Sequence, residues 1–66
     1  SMIAFGDRRN AALEILRCEA RLTRKAGSFL GQCVVDASPL TDKQVEWFGQ
    51  LASRAGVEVE GLSHEA

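Results

Sequence analysis

Residues Leu22–Val34 read LTRKAGSFLGQCV, and residues Leu40–Ala52 read LTDKQVEWFGQLA. Aligned without gaps, the two segments share leucine, threonine, lysine, glycine and glutamine at matching positions. Aromatic and aliphatic residues also match one another, and in each segment they recur at i, i+1, i+4 and i+5. This spacing places them on one face of a helix. The repeat therefore predicts two similar amphipathic helices.

The residues around the repeat carry helix start and stop signals. Thr23 and Thr41 each follow a leucine, which is typical of an N-cap with an apolar residue just outside it. Gln44, three residues after Thr41, completes a capping box. Between the two segments Pro39 interrupts the chain, and Gly56 predicts the end of the last helix.

A first helix is predicted to begin at Asp7, a good N-cap residue, and to run through RRNAALEILRCEARL to Leu22. Its apolar residues occupy about half of the circumference, more than the ~100° stripe that a surface helix needs. We therefore expect it to contact the rest of the chain and also a second copy or another protein. Trp47 has two interpretations, as a core or core-edge residue equivalent to Phe29 or as an exposed anchor for a partner. The residues predicted for a protein interface are Ala11, Ile15, Cys18, Leu22 and Trp47.

These elements predict a single all-α domain over residues 1–66, which is near the lower size limit for an independent core. It has three helices, and the last two form a pseudo-symmetric hairpin. Residues 1–6 and 57–66 are predicted to be frayed or extended tails. Gly31 and Gly49 occupy the same place in the two repeats. They predict a close approach where helices cross, or else a duplicated glycine that is merely tolerated.

The sequence offers no catalytic constellation. Its single histidine, His64, lies in the predicted tail, and two cysteines with one histidine are too few for a four-ligand zinc site. The sequence also contains no apolar run of membrane-spanning length and no signal-peptide pattern. We therefore expect a cytoplasmic, non-enzymatic protein without metal, cofactor or small-molecule substrate. Cys18 and Cys33 are expected to be reduced and buried, with a disulfide, or a disulfide-linked dimer, as the alternative.

Charge is unevenly distributed along the chain. Residues 1–33 carry six basic and three acidic residues, whereas residues 34–66 carry two basic and six acidic ones. This asymmetry indicates either a basic contact surface or two halves that attract one another. The acidic start of the third helix argues against a helix-turn-helix reader of DNA. The basic residues predicted to contact nucleic acid, or else to form a solvated face, are Arg8, Arg9, Arg17, Arg21, Arg24 and Lys25.

The segment LTDKQVEWFGQLASRAG, residues 40–56, follows the pattern Thr/Ser-x-Lys-Gln-x-x-x-apolar-x-x-Leu with a later glycine. The matching residues are Thr41, Lys43, Gln44, Phe48, Leu51 and Gly56. In this pattern the segment resembles a short helical module in tails and small domains of phage and plasmid recombination or replication proteins, including single-strand annealing proteins. The resemblance implies a link to the DNA transactions of mobile elements.

Together these observations predict an accessory or interaction domain linked to phage- or plasmid-type DNA metabolism, with nucleic acid contacted through the basic first half. A homodimer or a larger protein is the expected partner. The alternative is a protein–protein adaptor or homo-oligomerisation module without a nucleic-acid role.

Overall fold

The computed structural model describes residues 4–18 and 21–59. Three α-helices follow one another in this part of the chain, which contains no strand. Helix α1 spans Phe5–Arg17, α2 spans Arg24–Val35 and α3 spans Asp42–Ala55. The all-α, three-helix fold predicted from the repeat is thus confirmed.

The second and third helices begin at the predicted threonine caps. The Oγ1 of Thr23 accepts a hydrogen bond from the backbone N–H of Ala26 at 3.0 Å, and the Oγ1 of Thr41 accepts one from Gln44 at 3.2 Å. Gln44 reciprocates, since its Oε1 accepts from the backbone N–H of Thr41 at 2.9 Å. The capping box of α3 is therefore complete, and two of its orphan N–H groups are satisfied.

Helix α3 ends at Gly56, as predicted. This glycine has a φ of 72°, the left-handed conformation in which a side chain would be strained. The backbone N–H of Val57 donates to the carbonyl of Ala52 at 2.9 Å, and that of Gly56 donates to Ser53 at 3.2 Å. These two bonds form a Schellman motif, which reverses the chain toward the core.

The bounds of α1 differ from the prediction. The helix begins at Phe5, with Ala4 as an N-cap that makes no side-chain cap bond, so Asp7 lies in the first turn instead of capping it. There its negatively charged carboxylate still interacts favourably with the positive end of the helix dipole. The helix ends at Arg17 because Cys18 adopts extended backbone. The predicted continuation to Leu22 was therefore wrong.

Both predicted tails are partly structured. Phe5 and Gly6 belong to α1. Beyond α3, residues 57–59 lie outside any helix, yet Val57 packs against the core and Val59 is buried. The Schellman turn explains this, because it directs the chain back across the helices. Residues 1–3 and 60–66, including His64, lie outside the described residues.

The core lies between α1 and the two repeated helices, and α1 contacts α2 more extensively than α3. Helices α2 and α3 meet through aromatic rings. The ring of Phe29 stacks on that of Trp47, with centroids 4.5 Å apart and planes at 6°, and meets Phe48 edge-on at 6.3 Å. The burial of matching repeat residues supports similar helices, while the pseudo-symmetric hairpin stays a prediction. The buried apolar residues are Ala11, Ala12, Ile15, Ala26, Leu30, Cys33, Phe48, Leu51, Ala52 and Val59.

The close approach predicted at Gly31 was wrong. A Cβ atom built on this glycine would meet nothing within 4 Å, apart from its own helix backbone. The glycine is therefore a tolerated element of the repeat, as the alternative interpretation held. The equivalent prediction for Gly49 stays untested.

Candidate functional site

Arg8 is the one charged residue buried within the described part of the chain, with 1% of its surface exposed. Its Nη2 donates to the backbone carbonyl of Asp36 at 2.9 Å and to that of Ser38 at 3.0 Å. Its guanidinium lies 5.4 Å from the ring centroid of Phe5, in a cation–π arrangement. The Arg8 side chain therefore fastens the first turns of α1 to the loop that follows α2.

This position removes Arg8 from the predicted nucleic-acid surface. The prediction failed because position 8 precedes Ala11, Ala12 and Ile15 by three, four and seven residues, which places it on the buried stripe of α1. That spacing was the signal available in the sequence. A buried arginine requires acceptors, and the carbonyls of Asp36 and Ser38 supply them for Nη2, whereas Nε has no partner among the described residues.

The other five predicted basic residues are all exposed. Arg9 lies in the first half of α1, eight residues and therefore about 12 Å along the helix axis from Arg17. The remaining four residues lie between positions 17 and 25, where α1 ends and α2 begins. We call this group the basic corner: Arg17, Arg21, Arg24 and Lys25.

The N-terminus of α2 favours an anion more than that of α3 does. The first turn of α2 contains Arg24 and Lys25 and no acidic residue, whereas that of α3 contains Asp42. Cations beside the positive end of a helix dipole are unfavourable by roughly 0.3–1 kcal/mol each at low ionic strength. Bound phosphate would remove that cost. The two repeats therefore share a capping device but differ in the charge they present.

The predicted protein interface on α1 is mostly internal. Ala11 is 5% exposed and Ile15 is fully buried, so both belong to the core and cannot contact a partner. Leu22 is half-buried and packs against the same core. Cys18 is half-buried, and its thiol donates to the carbonyl of Ile15 at 3.0 Å. The apolar residue of α1 that does reach solvent is Leu16, at 38% exposure.

Trp47 is half-buried against Phe29, which agrees with its interpretation as a residue at the core edge. The most exposed large apolar residue of the described chain is instead Val35, at 80%, in the last turn of α2. Sequence reasoning missed it because the repeat ends at Val34 and does not indicate which side of the last turn faces solvent.

Both cysteines are free. Burial raises the pKa of the Cys33 thiol above its ordinary value, an effect that the positive charge of Arg8 partly opposes. Cys33 therefore has the properties of a small apolar core residue and not of a nucleophile.

A cleft of about 190 Å³ lies between the end of α2 and the start of α3. Asp36 stands at this cleft, and its Oδ1 accepts from the backbone N–H of Ser38 at 2.9 Å. Hydrogen bonds from Ser38, and from Gln32, lower the pKa of the Asp36 carboxyl, so it is ionised at neutral pH. The cleft is smaller than typical small-molecule sites. Its lining consists of Phe29, Gln32, Cys33, Asp36, Ser38, Pro39, Leu40 and Gln44.

Comparison of the chain with family models, curated proteins and solved structures found no match. Within residues 4–18 and 21–59 no helix has the length and apolar character needed to cross a membrane. The same residues contain no group of three or more histidine, cysteine or acidic side chains placed to hold a metal ion.

Proposed function

We propose that this chain is a non-enzymatic interaction domain that contacts the phosphates of nucleic acid through its basic corner. The observation that carries the proposal is the exposure of all four cations of the corner at the junction of α1 and α2. Two of them stand at a helix N-terminus without an acidic neighbour in its first turn. Phosphate oxygens would supply the negative charge that is missing from the first turn of α2.

The resemblance of residues 40–56 to helical modules of phage and plasmid proteins extends the proposal to the DNA transactions of mobile elements, in the cytoplasm. The acidic first turn of α3 argues that this helix does not itself touch DNA. It would instead support α2, through the stack of Trp47 on Phe29. The genes that flank the coding sequence provide an independent test, since recombination or replication genes are expected there.

Fluorescence anisotropy with labelled single- and double-stranded DNA at low salt tests the direct contact. The double variant Arg17→Ala/Arg21→Ala should weaken binding and reduce the slope of log K against log salt by about one for each phosphate that is no longer neutralised. The matched control is Lys43→Ala/Arg54→Ala, which removes the same charge from exposed positions of α3. Absence of binding by the wild-type protein at low salt, or an equal effect of both variants, would refute the proposal.

The second candidate function is a protein–protein adaptor. It is favoured by the exposure of Val35 and Leu16, two large apolar side chains that the core leaves in solvent. They lie near the ends of α2 and α1, so they are separate contacts and not one patch. Binding of a partner that is abolished by Val35→Lys but unaffected by removal of the basic corner would favour this candidate.

A further inference from the structure

The outer face of α2 carries opposite charges at its two ends. Arg24 and Lys25 occupy the first turn, and Asp36 forms the C-cap, twelve residues after Arg24. At 100° per residue these three side chains fall within one third of the helix circumference. Ser28, Gln32 and Val35 fall within the same sector. We define the outer face as Arg24, Lys25, Ser28, Gln32, Val35 and Asp36.

Most of this face is left exposed by the fold, although Asp36 also bonds to the loop at Ser38. Five of its six residues are exposed, and Asp36 is half-buried. Val35, at 80% exposure, is a β-branched apolar side chain that stands in water next to the acidic C-cap. By contrast, the opposite side of α2 buries Ala26, Leu30 and Cys33. The helix therefore has one face committed to the core and one face available to a partner.

We propose that a second copy of this chain docks on the outer face of α2, with the two α2 helices antiparallel and related by a two-fold axis. Charge complementarity favours this arrangement. An antiparallel arrangement places the basic first turn of each helix against the acidic C-cap of the other, so that both ion-pair contacts form at once. A parallel arrangement would place like charges together.

The same two-fold axis gives every residue of the face an acceptable neighbour. Arg24 of one copy lies opposite Asp36 of the other, and Lys25 lies opposite Val35, whose apolar surface its aliphatic stem can cover. Ser28 and Gln32 lie opposite one another near the axis, and the small serine lets the helices approach closely. The contact is isologous and closed, so it produces dimers and not filaments.

Asp36 can accept the guanidinium without losing its role in the loop. Its Oδ1 accepts from Ser38 N–H at 2.9 Å, whereas Oδ2 receives only a long 3.5 Å contact from Gln32 Nε2. One carboxylate oxygen is therefore available to Arg24 of the second copy. The contact surface is a single helix face, so the dimer is expected to be weak and to exchange with monomer.

A charge-swap experiment tests this arrangement. In the wild-type protein, sedimentation equilibrium from micromolar to millimolar concentration should show a monomer–dimer equilibrium at low salt, weaker at high salt. Arg24→Asp should weaken the dimer about tenfold or more, because it places acid against acid at both contacts. It should not unfold the chain, since an acidic residue suits the first turn of α2. Lys43→Asp makes the same charge change in the first turn of α3 and should leave the dimer unchanged.

Mixing provides the decisive measurement. Arg24→Asp and Asp36→Arg should each self-associate about tenfold or more weakly than the wild type, but their equimolar mixture should form a heterodimer in which both contacts are again attractive. Circular dichroism confirms that each variant is folded. A wild-type protein that stays monomeric at millimolar concentration would overturn the proposal. So would a dimer insensitive to Arg24→Asp, or a mixture that stays monomeric. These measurements contain no nucleic acid, so their failure leaves the proposed DNA contact untouched.

Discussion

Arg8 and Arg9 are adjacent in the sequence but have different roles in the structure. Arg8 has only 1% of its surface exposed, whereas Arg9 is exposed to solvent. Because α1 turns by 100° per residue, the first faces the core and the second faces solvent. Charge alone therefore identifies a candidate basic surface, but helix phase decides which residues belong to it.

The Arg8→Ala substitution is expected to lower the free energy of unfolding by about 2–4 kcal/mol, since it removes two charge-assisted hydrogen bonds to loop carbonyls. Such a decrease is a large part of the stability of a small domain. Urea unfolding followed by circular dichroism measures it. Arg9→Ala is the matched control and should change stability by no more than about 0.5 kcal/mol. Equal effects of the two substitutions would show that the hydrogen bonds from Arg8 to the loop do not stabilise the fold.

Cys33 should make stability depend on pH in the alkaline range. Its pKa is raised above 9.0 in the folded protein by burial, so the unfolded chain loses the thiol proton first. The contribution of the Cys33 thiol to the free energy of unfolding is fully present below pH 9.0 and is lost as the pH rises through the folded-state pKa. Unfolding by urea at neutral pH and above pH 9.0 measures this decrease in stability, which should be smaller in Cys33→Ala.

Thiol reagents should modify half-buried Cys18 faster than buried Cys33, and the reverse order of reaction would contradict the burial of Cys33.

The elements themselves were the most predictable part of the molecule. The caps of α2 and α3, the capping box and the Gly56 turn depend on residues within a few positions of one another, so their signals lie in the local sequence. The bounds of α1 could not be read in the same way. Its N-cap, Ala4, makes no side-chain cap hydrogen bond, so the sequence carries no cap residue that marks where the helix begins.

Two glycines test the local geometry in opposite directions. Gly31→Ala should stabilise the protein by about 0.5–1 kcal/mol, because the position is helical and the added Cβ meets nothing within 4 Å. Gly56→Ala should destabilise it by about 1 kcal/mol or more, since the backbone there has a φ of 72°. Thermal unfolding of dilute protein measures both. A destabilising Gly31→Ala would contradict the open space that the structure shows around this position.

At the scale of the whole molecule, the distribution of charged residues along the sequence predicted only part of the candidate surface. The four cations of the basic corner follow one another between positions 17 and 25, so their proximity is already implied by the chain. The exposed Val35 and the cleft beside Asp36 were not foreseen, because both depend on how α2 is rotated against α1 and on the path of the following loop. Packing between helices fixes that rotation, and a single sequence does not state it.

The attachment of α3 to α2 through stacked aromatic rings can be measured by a double-mutant cycle. Phe29→Leu and Trp47→Leu, alone and together, should give a coupling energy of about 0.5–1.5 kcal/mol, because the rings lie 4.5 Å apart and nearly parallel. Unfolding should be followed by circular dichroism, because Trp47 is the only tryptophan in the chain and Trp47→Leu removes the tryptophan fluorescence signal.

The control cycle for this coupling pairs Trp47→Leu with Val35→Ala. Val35 is 80% exposed and packs against little, so its coupling to Trp47 should be within about 0.3–0.5 kcal/mol of zero. If the Phe29 cycle also gave no coupling, the stack would not stabilise the fold. Helix α3 would then be held by the burial of Phe48 and Leu51 alone, and the repeated aromatic position would contribute nothing to the joining of the two repeats.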